Sequence, residues 1–553
     1  MILKNIQSIA QFFLFFLLLT ISTAFCEERF FIQTIGGDQA YQSKSIIATN
    51  DRGYVISGQY GNEQLETDLF VMKFDLNQTI LWSLVSNLDF KACANDIFQT
   101  KDGGYIIGGI IFDSSSLSDI IIIKINKNGI LEWNHRISGT RSERVYSIKQ
   151  TSDEGFILTG YSSSYGMTKY GVFLLKLDNN GNLEWSTITG DDNTENVAKE
   201  VQETLDKGFI VVGYTDSYGV GERNILLLKY NNIGNLEWTK VIDGHNSEWG
   251  NFVRQTKDEG YIVVGRTKSY GAEDDDIIIL RFDKTGNHEW SKIIDNNNDD
   301  DAISLSITLD QKFIIAGNTK SFNQEENYDT ILIKLDEEGY VDWARIIGGK
   351  DNDTVNSLNQ TNNGLMLAGE TESFNLTMSN QFIVKTDQFG RIEGCEYNRT
   401  VDLKTVTINP SIMSPSPKNF SVTPQVNTIS ITTSTPNIYS SIQCLYVSEC
   451  YTQEQIQSLI SNAIVEKEEI ILLKDEKINE LNNTISNMYT KDQLDEAISK
   501  TLENYYSQTQ VDNMINKILE WDEDNDGMIG LIEAIHALKI SAGIDKVDRI
   551  NGE

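Results

Sequence analysis

Phe252-Val253-Arg254-Gln255-Thr256, Asp258-Glu259-Gly260 and Tyr261-Ile262-Val263-Val264-Gly265 decide how this chain folds. The first and last groups read as short strands, and Asp-Glu-Gly as a tight turn between them. A loop carrying Ser269-Tyr270-Gly271 follows, then the apolar run Ile277-Ile278-Ile279-Leu280. Asp283-Lys284-Thr285-Gly286 then turns the chain into a strand centred on Trp290, which makes four strands in the unit. The same order recurs with Trp as its landmark, at Trp82, Trp133, Trp185, Trp238, Trp290 and Trp343. The gaps are 51, 52, 53, 52 and 53 residues, with Phe31 one period upstream and Gly394 one downstream.

A fixed period of this size, filled by four short strands, predicts a mainly β fold: a seven-bladed β-propeller over residues 29–395 with four-stranded blades. The apolar runs, such as Ile120-Ile121-Ile122-Ile123, are too short to span a membrane and suit strands buried on both faces. There is one Trp-type position too many for seven blades, so the N-terminal strand is expected to complete the last blade and close the ring. Gly53, Gly104, Gly155, Gly208, Gly260 and Gly364 close the first turn and are expected to supply a positive φ, with Lys312 standing there in blade six. Asp178…Gly181, Asp283…Gly286, Asp336…Gly339 and Asp387…Gly390 make the second turn, whose Gly blade one lacks.

The chain has 553 residues and a net charge of −34. So acidic a surface argues against nucleic acid as a partner. Residues 1–24 read as a secretory signal, from Lys4 through Phe12–Leu19 to Ser22-Thr23-Ala24, with an uncleaved anchor as the alternative. No further membrane span follows, so the protein is expected to be secreted or displayed at the cell surface. Five cysteines are too few for a disulfide scaffold and badly spaced for zinc. Cys395 and Cys444 are plausible partners, and Cys93 reads as a buried thiol.

All five prolines fall between residues 410 and 436. Residues 396–449, rich in Ser, Thr and Pro and bounded by cysteines, read as a linker: an extended stalk or a small irregular β element. Tyr451-Thr-Gln-Glu-Gln455, Tyr489-Thr-Lys-Asp-Gln493 and Tyr506-Ser-Gln-Thr-Gln510 are helix starts with capping boxes. Residues 450–488 form a helix in which Ile464, Ile471, Ile478 and Ile485 recur every seven residues. This is either a short coiled coil making a homo-oligomer through residues 455–488, or an amphipathic helix packed within its own chain.

The helical region 489–553 carries the sharpest motif, Asp522-Glu523-Asp524-Asn525-Asp526-Gly527-Met528-Ile529-Gly530-Leu531-Ile532-Glu533. It resembles the EF-hand loop. The resemblance implies calcium, held by carboxylates of Asp522, Asp524 and Asp526, the Met528 carbonyl, a water at Gly530 and bidentate Glu533. Only one such loop exists, whereas EF-hands usually work in pairs.

Ser164-Tyr165-Gly166, Ser217-Tyr218-Gly219 and Ser269-Tyr270-Gly271 recur at one blade position. They present either an aromatic ring to a glycan or peptide or, more commonly, packing between blades. The acidic loops at Glu273–Asp276 and Asp299–Asp301 read first as solvated charge, and as cation sites second. The four histidines are scattered, and no Ser-His-Asp order or phosphate loop appears. Asp102-Gly103-Gly104-Tyr105 is the clearest unit of a repeat similar to those of extracellular, mainly bacterial, propeller proteins, over residues 30–450. That resemblance implies fold and export. The expectation is an exported calcium-binding protein, without enzymatic activity, whose propeller binds a protein or glycan. A polysaccharide-acting hydrolase or lyase, or a protein-interaction scaffold, are the alternatives.

Overall fold

A computed structural model describes residues 29–447 apart from a few short loop segments. The signal, the helix at 450–488 and the EF-hand region, including Asp522, Asp524, Asp526, Met528 and Glu533, lie outside the described residues.

Seven antiparallel sheets form the ring. Blade 1 is Tyr41–Ala48, Tyr54–Asn62, Glu66–Phe74 and Ile80–Asn87, in order from the axis outward. Blades 2 to 6 repeat this plan, and the inner strands of adjacent blades pack on one another all round the ring. Blade 7 takes three strands from Asp353–Thr361, Gly364–Thr371 and Asn380–Asp387, and its fourth from Arg29–Gly37 at the other end of the chain. Phe31 thus fills the landmark position of blade 7, as the period predicts, and Gly394 forms no strand.

The landmark Trp has a clear job. Each packs on the second-turn glycine of the next blade: Trp133 on Gly181, Trp185 on Gly234, Trp238 on Gly286, Trp290 on Gly339. All but Trp343 also meet an aromatic at the start of the next blade's second strand, as Trp185 meets Phe209 with centroids 5.7 Å apart. The second-turn glycines do carry positive φ, 84° at Gly181 for example, and Gln78 adopts 64° where blade 1 lacks one.

The first turn corrects the sequence reading. Its left-handed residue is the one before the glycine, such as Arg52, Glu154, Lys207 and Glu259. The glycine is there for closeness: a Cβ at Gly53 would strike the Phe74 carbonyl and the Lys73 ammonium. Buried cations on the third strands, Lys73, Lys124, Lys176, Lys229 and Arg281, pair with Asp51, Asp102, Asp153, Asp206 and Asp258 of the first turns. Lys73 also donates to Thr49 Oγ1 at 3.0 Å and to Phe74 O at 2.9 Å. Burial works to raise Asp51, but the hydrogen bonds from Lys73 and Thr49 hold it below its ordinary value. Where Lys312 replaces the glycine, the Lys334–Asp310 contact lengthens to 3.6 Å.

The second finding concerns the segment expected to be an extended stalk or a small irregular β element: it is β, but not a separate element. It runs backward round the outside of the ring and adds a fifth strand to every blade. Asn398–Val401 joins blade 6, Val406–Thr407 blade 5, Ser411–Met413 blade 4, Asn419–Ser421 blade 3, Gln425–Asn427 blade 2, Thr432–Ser434 blade 1 and Ile438–Val447 blade 7. Its register advances by seven residues per blade: Ile346 faces Arg399, Ile293 Val406, Val241 Met413, Ile188 Phe420, Arg136 Asn427, Val85 Ser434 and Thr34 Ser441. Seven residues on each of seven blades make 49, which is the separation of the disulfide Cys395–Cys444. The belt is therefore a covalently closed hoop. Val401, Ile408, Val422 and Ile429, also seven apart, turn inward onto the blade cores. Proline is tolerated because the outermost strand has an open edge that needs no donors.

Candidate functional site

One end of the ring carries tight turns and the other the long loops. The Ser-Tyr-Gly tyrosines stand at the loop end, and their role is packing. Tyr165 stacks near Phe173 and donates to Ser138 O at 3.0 Å, and Tyr270 donates to Asp243 O at 2.5 Å. The serines bond to a buried residue that opens each inner strand: Ser164's neighbour Ser162 to Glu143, Ser217 to Asn196, Ser269 to Glu248, Ser321 to Asp300, Ser373 to Asp353. Burial raises Glu143, Glu248, Asp300 and Asp353 from their ordinary values, against the hydroxyl hydrogen bonds.

Much of the charge in the acidic loops is not solvated. Asp276 and Asp300 are fully buried. Asp275 pairs with Arg266 at 3.4 Å and Asp299 with Lys320 at 2.9 Å. Among the described residues, no group of three or more His, Cys, Asp or Glu side chains is placed to hold a metal ion.

What the loop end does assemble is an arc of rings and cations across blades 3 to 6. In each blade the second residue of the inner strand faces one on the second strand: Arg144 and Tyr161 in blade 3, Val197 and Tyr214 in blade 4, Trp249 and Arg266 in blade 5, Asp301 and Asn318 in blade 6. The same row is Thr354 and Glu370, Gln42 and Gln59, Cys93 and Ile110 in the remaining blades. Tyr161 meets Tyr170 with centroids 4.4 Å apart and Tyr146 at 6.2 Å. Lys199 sits 3.9 Å over the Tyr146 ring, and Arg266 4.1 Å over Trp249. Arg223 lies over Tyr214 at 5.2 Å and pairs with Glu195 at 3.5 Å.

Two residues further along the inner strand, blades 2, 5 and 7 use an asparagine tie, whereas blades 1 and 6 have Lys44 and Ile303 there. Asn95 Nδ2 donates to Val145 O at 2.7 Å, Asn251 to Ala302 O at 2.8 Å, and Asn356 to Ser43 O at 2.8 Å. Blades 3 and 4 have Tyr146 and Lys199 in that place and make no such bond to the next blade. Each lost tie forgoes about 1 kcal/mol.

Asp301 stands at the end of the arc, 3.8 Å from Arg266 and accepting from Asn251 at 2.8 Å. Burial, opposed by Arg266 and reinforced by Asp275, pushes its carboxyl up to about 7. Burial also raises the Tyr161 and Tyr214 hydroxyls, which are therefore donors at neutral pH rather than bases. Among the described residues no histidine joins the arc: His135 lies against Trp133, His288 bonds Ser291, and His245 is exposed. Cys93 is a buried free thiol, pushed up to about 11 by burial. A cavity of about 550 Å³ lies elsewhere, at the launch of the belt between Arg345, Arg391 and Glu393, and brings together no nucleophile and base.

No family model matches the chain, and no curated protein matches it in sequence. Solved propellers are similar to it. A protein assigned as a 6-phosphogluconolactonase of Bacteroides uniformis is 12% identical with a TM-score of 0.42, over 65% of this chain and all 100% of that one. A polysaccharide lyase acting on ulvan is 9% identical at 0.41, over 66% and 96%. Sqt1 of Chaetomium thermophilum is 11% identical at 0.36, over 62% and 83%. These likenesses extend to the fold and carry no activity to this chain.

Proposed function

We propose that this protein is an exported binding protein whose ligand sits on the loop-end arc of the propeller, with a calcium ion held in its helical tail. One observation carries the reading. Tyr146, Tyr161, Tyr170, Tyr214 and Trp249 are gathered with Lys199, Arg223 and Arg266 on adjacent blades of a chain whose net charge is −34. Half-buried rings with cations on their faces give large contact area at low entropic cost. Asp522, Asp524, Asp526, the Met528 carbonyl and Glu533 are the proposed calcium ligands, and residues 455–488 the proposed means of self-association.

The test is retention on glycan and peptide arrays by the full chain beside Tyr146→Ala/Trp249→Ala. Equal retention by both proteins would remove the arc as the binding surface. Calorimetry with calcium on wild type and Glu533→Gln tests the tail separately.

A further inference from the structure

Near the axis, cations are almost all neutralised. Lys149 bonds Asp96, Arg254 bonds Glu200 at 2.6 Å, Lys44 bonds Glu370 at 3.1 Å, and Arg266 bonds Asp275 at 3.4 Å. Arg144 and Lys199 depart from this. Neither makes a salt bridge among the described residues, although Lys199 lies near enough to Asp301 to lower its carboxyl, and the Arg144 Nε–H is buried without an acceptor. Arg144 lies 5.5 Å over the Phe112 ring and Lys199 3.9 Å over Tyr146, so each cation meets an aromatic face instead. They stand on the inner strands of adjacent blades, with Tyr146 beside both. Tyr146, Tyr161 and Tyr170 form a continuous run of rings whose hydroxyls make no hydrogen bond within the described residues.

Half-buried cations left unpaired in so acidic a protein are costly unless an anion joins them. The run of rings suits the flat C–H face of a pyranose, and free phenol hydroxyls suit its many hydroxyls. Resting on the binding reading above, we infer that Arg144 and Lys199 form a carboxylate subsite for a uronic-acid residue of an acidic polysaccharide. The half-buried Tyr146 and Tyr170 hold the sugar rings beside it, with the buried Tyr161 backing them.

The experiment is calorimetry on the full chain with tetramers of galacturonic, mannuronic and glucuronic acid, each beside its methyl ester. At least one acid tetramer is expected to bind, its ester about tenfold more weakly. Arg144→Gln and Lys199→Gln each weaken the acid about tenfold and leave the ester unchanged, whereas Lys44→Gln, at a paired cation, changes neither. Melting curves check that the variants fold, and the ester comparison needs no variant. Equal affinity for acid and ester would overturn the carboxylate subsite and leave the arc as a glycan surface. Acid binding untouched by both variants would overturn the subsite and the arc together. Failure of all three acids to bind, with array retention still lost in Tyr146→Ala/Trp249→Ala, would overturn the sugar class and keep the arc.

Discussion

Replacing both Cys395 and Cys444 with serine opens the hoop without changing a single blade. The bond closes a loop of 49 residues, and chain entropy assigns such a loop about 4 kcal/mol. For the 419 residues from 29 to 447, unfolding entropy of about 2.1 cal/mol/K per residue sums to roughly 0.9 kcal/mol/K. The melting temperature should therefore fall by about 4–5 °C. The loss is also local. The belt strands on blades 1 to 6 are two to four residues long, too short to hold without closure, whereas Ile438–Val447 pairs along its whole length. Hydrogen exchange by mass spectrometry should show residues 398–434 deprotected first, with the inner strands unchanged. Once the belt lifts, the fourth strands of six blades become open edges, and aggregation on heating should rise. A destabilisation under about 1 kcal/mol, or inner strands losing protection together with the belt, would refute the claim that closure holds the rim.

Asp301→Asn should stabilise the protein in a pH-dependent way. The folded carboxyl is raised to about 7, so the stability it confers is complete below pH 4 and is lost as pH rises through 7. The gain in the variant should approach about 3 kcal/mol at pH 8 and vanish at pH 4, read from urea midpoints; a gain independent of pH would contradict it. Glu248→Gln copies the neutral Asn196 of blade 4; because burial raises Glu248, the variant should gain stability as pH climbs through the carboxylate range and none in acid, measured the same way. Trp185→Ala removes the wedge on Gly234 and Phe209 and should cost about 2–3 kcal/mol in denaturant unfolding, with no change in belt exchange.

The blade count and the ring closure by residues near Phe31 were legible because they rest on long-range periodicity, whereas the Cys395–Cys444 bond was legible only as one plausible pairing, since cysteine positions alone do not fix which thiols meet. The belt was hidden by its composition. Val401, Ile408, Pro415, Val422, Ile429 and Pro436 recur every seven residues, but proline alternates with the apolar positions and the intervening residues are Ser, Thr and Asn. A stalk and an edge strand share that composition, since neither needs every backbone donor. Gly53 and its equivalents were misread because a positive φ and a close approach leave the same residue in the sequence. Burial of Asp276 and Asp300 depends on neighbouring loops that local reading does not see. The arc was missed for a different reason: its signal is a departure from the repeat. Reading down the repeats from Asn95, Asn251 and Asn356 to Tyr146 and Lys199 would have found it.

The meeting of Arg29 with Val447 has a mechanical consequence. A pull applied to the chain on either side of the ring loads an antiparallel pair end-on, so it unzips one rung at a time. Only Arg29–Val447, Phe30–Tyr446 and Phe31–Leu445 separate before the strain reaches Cys444. There the sulfur bridge hands the tension to Cys395, while the opposite strand is still clamped against blade 7 from Phe31 to Ile35. Traction is thus confined to one seam, and the other six blades, with the whole loop-end arc, stay out of the load path.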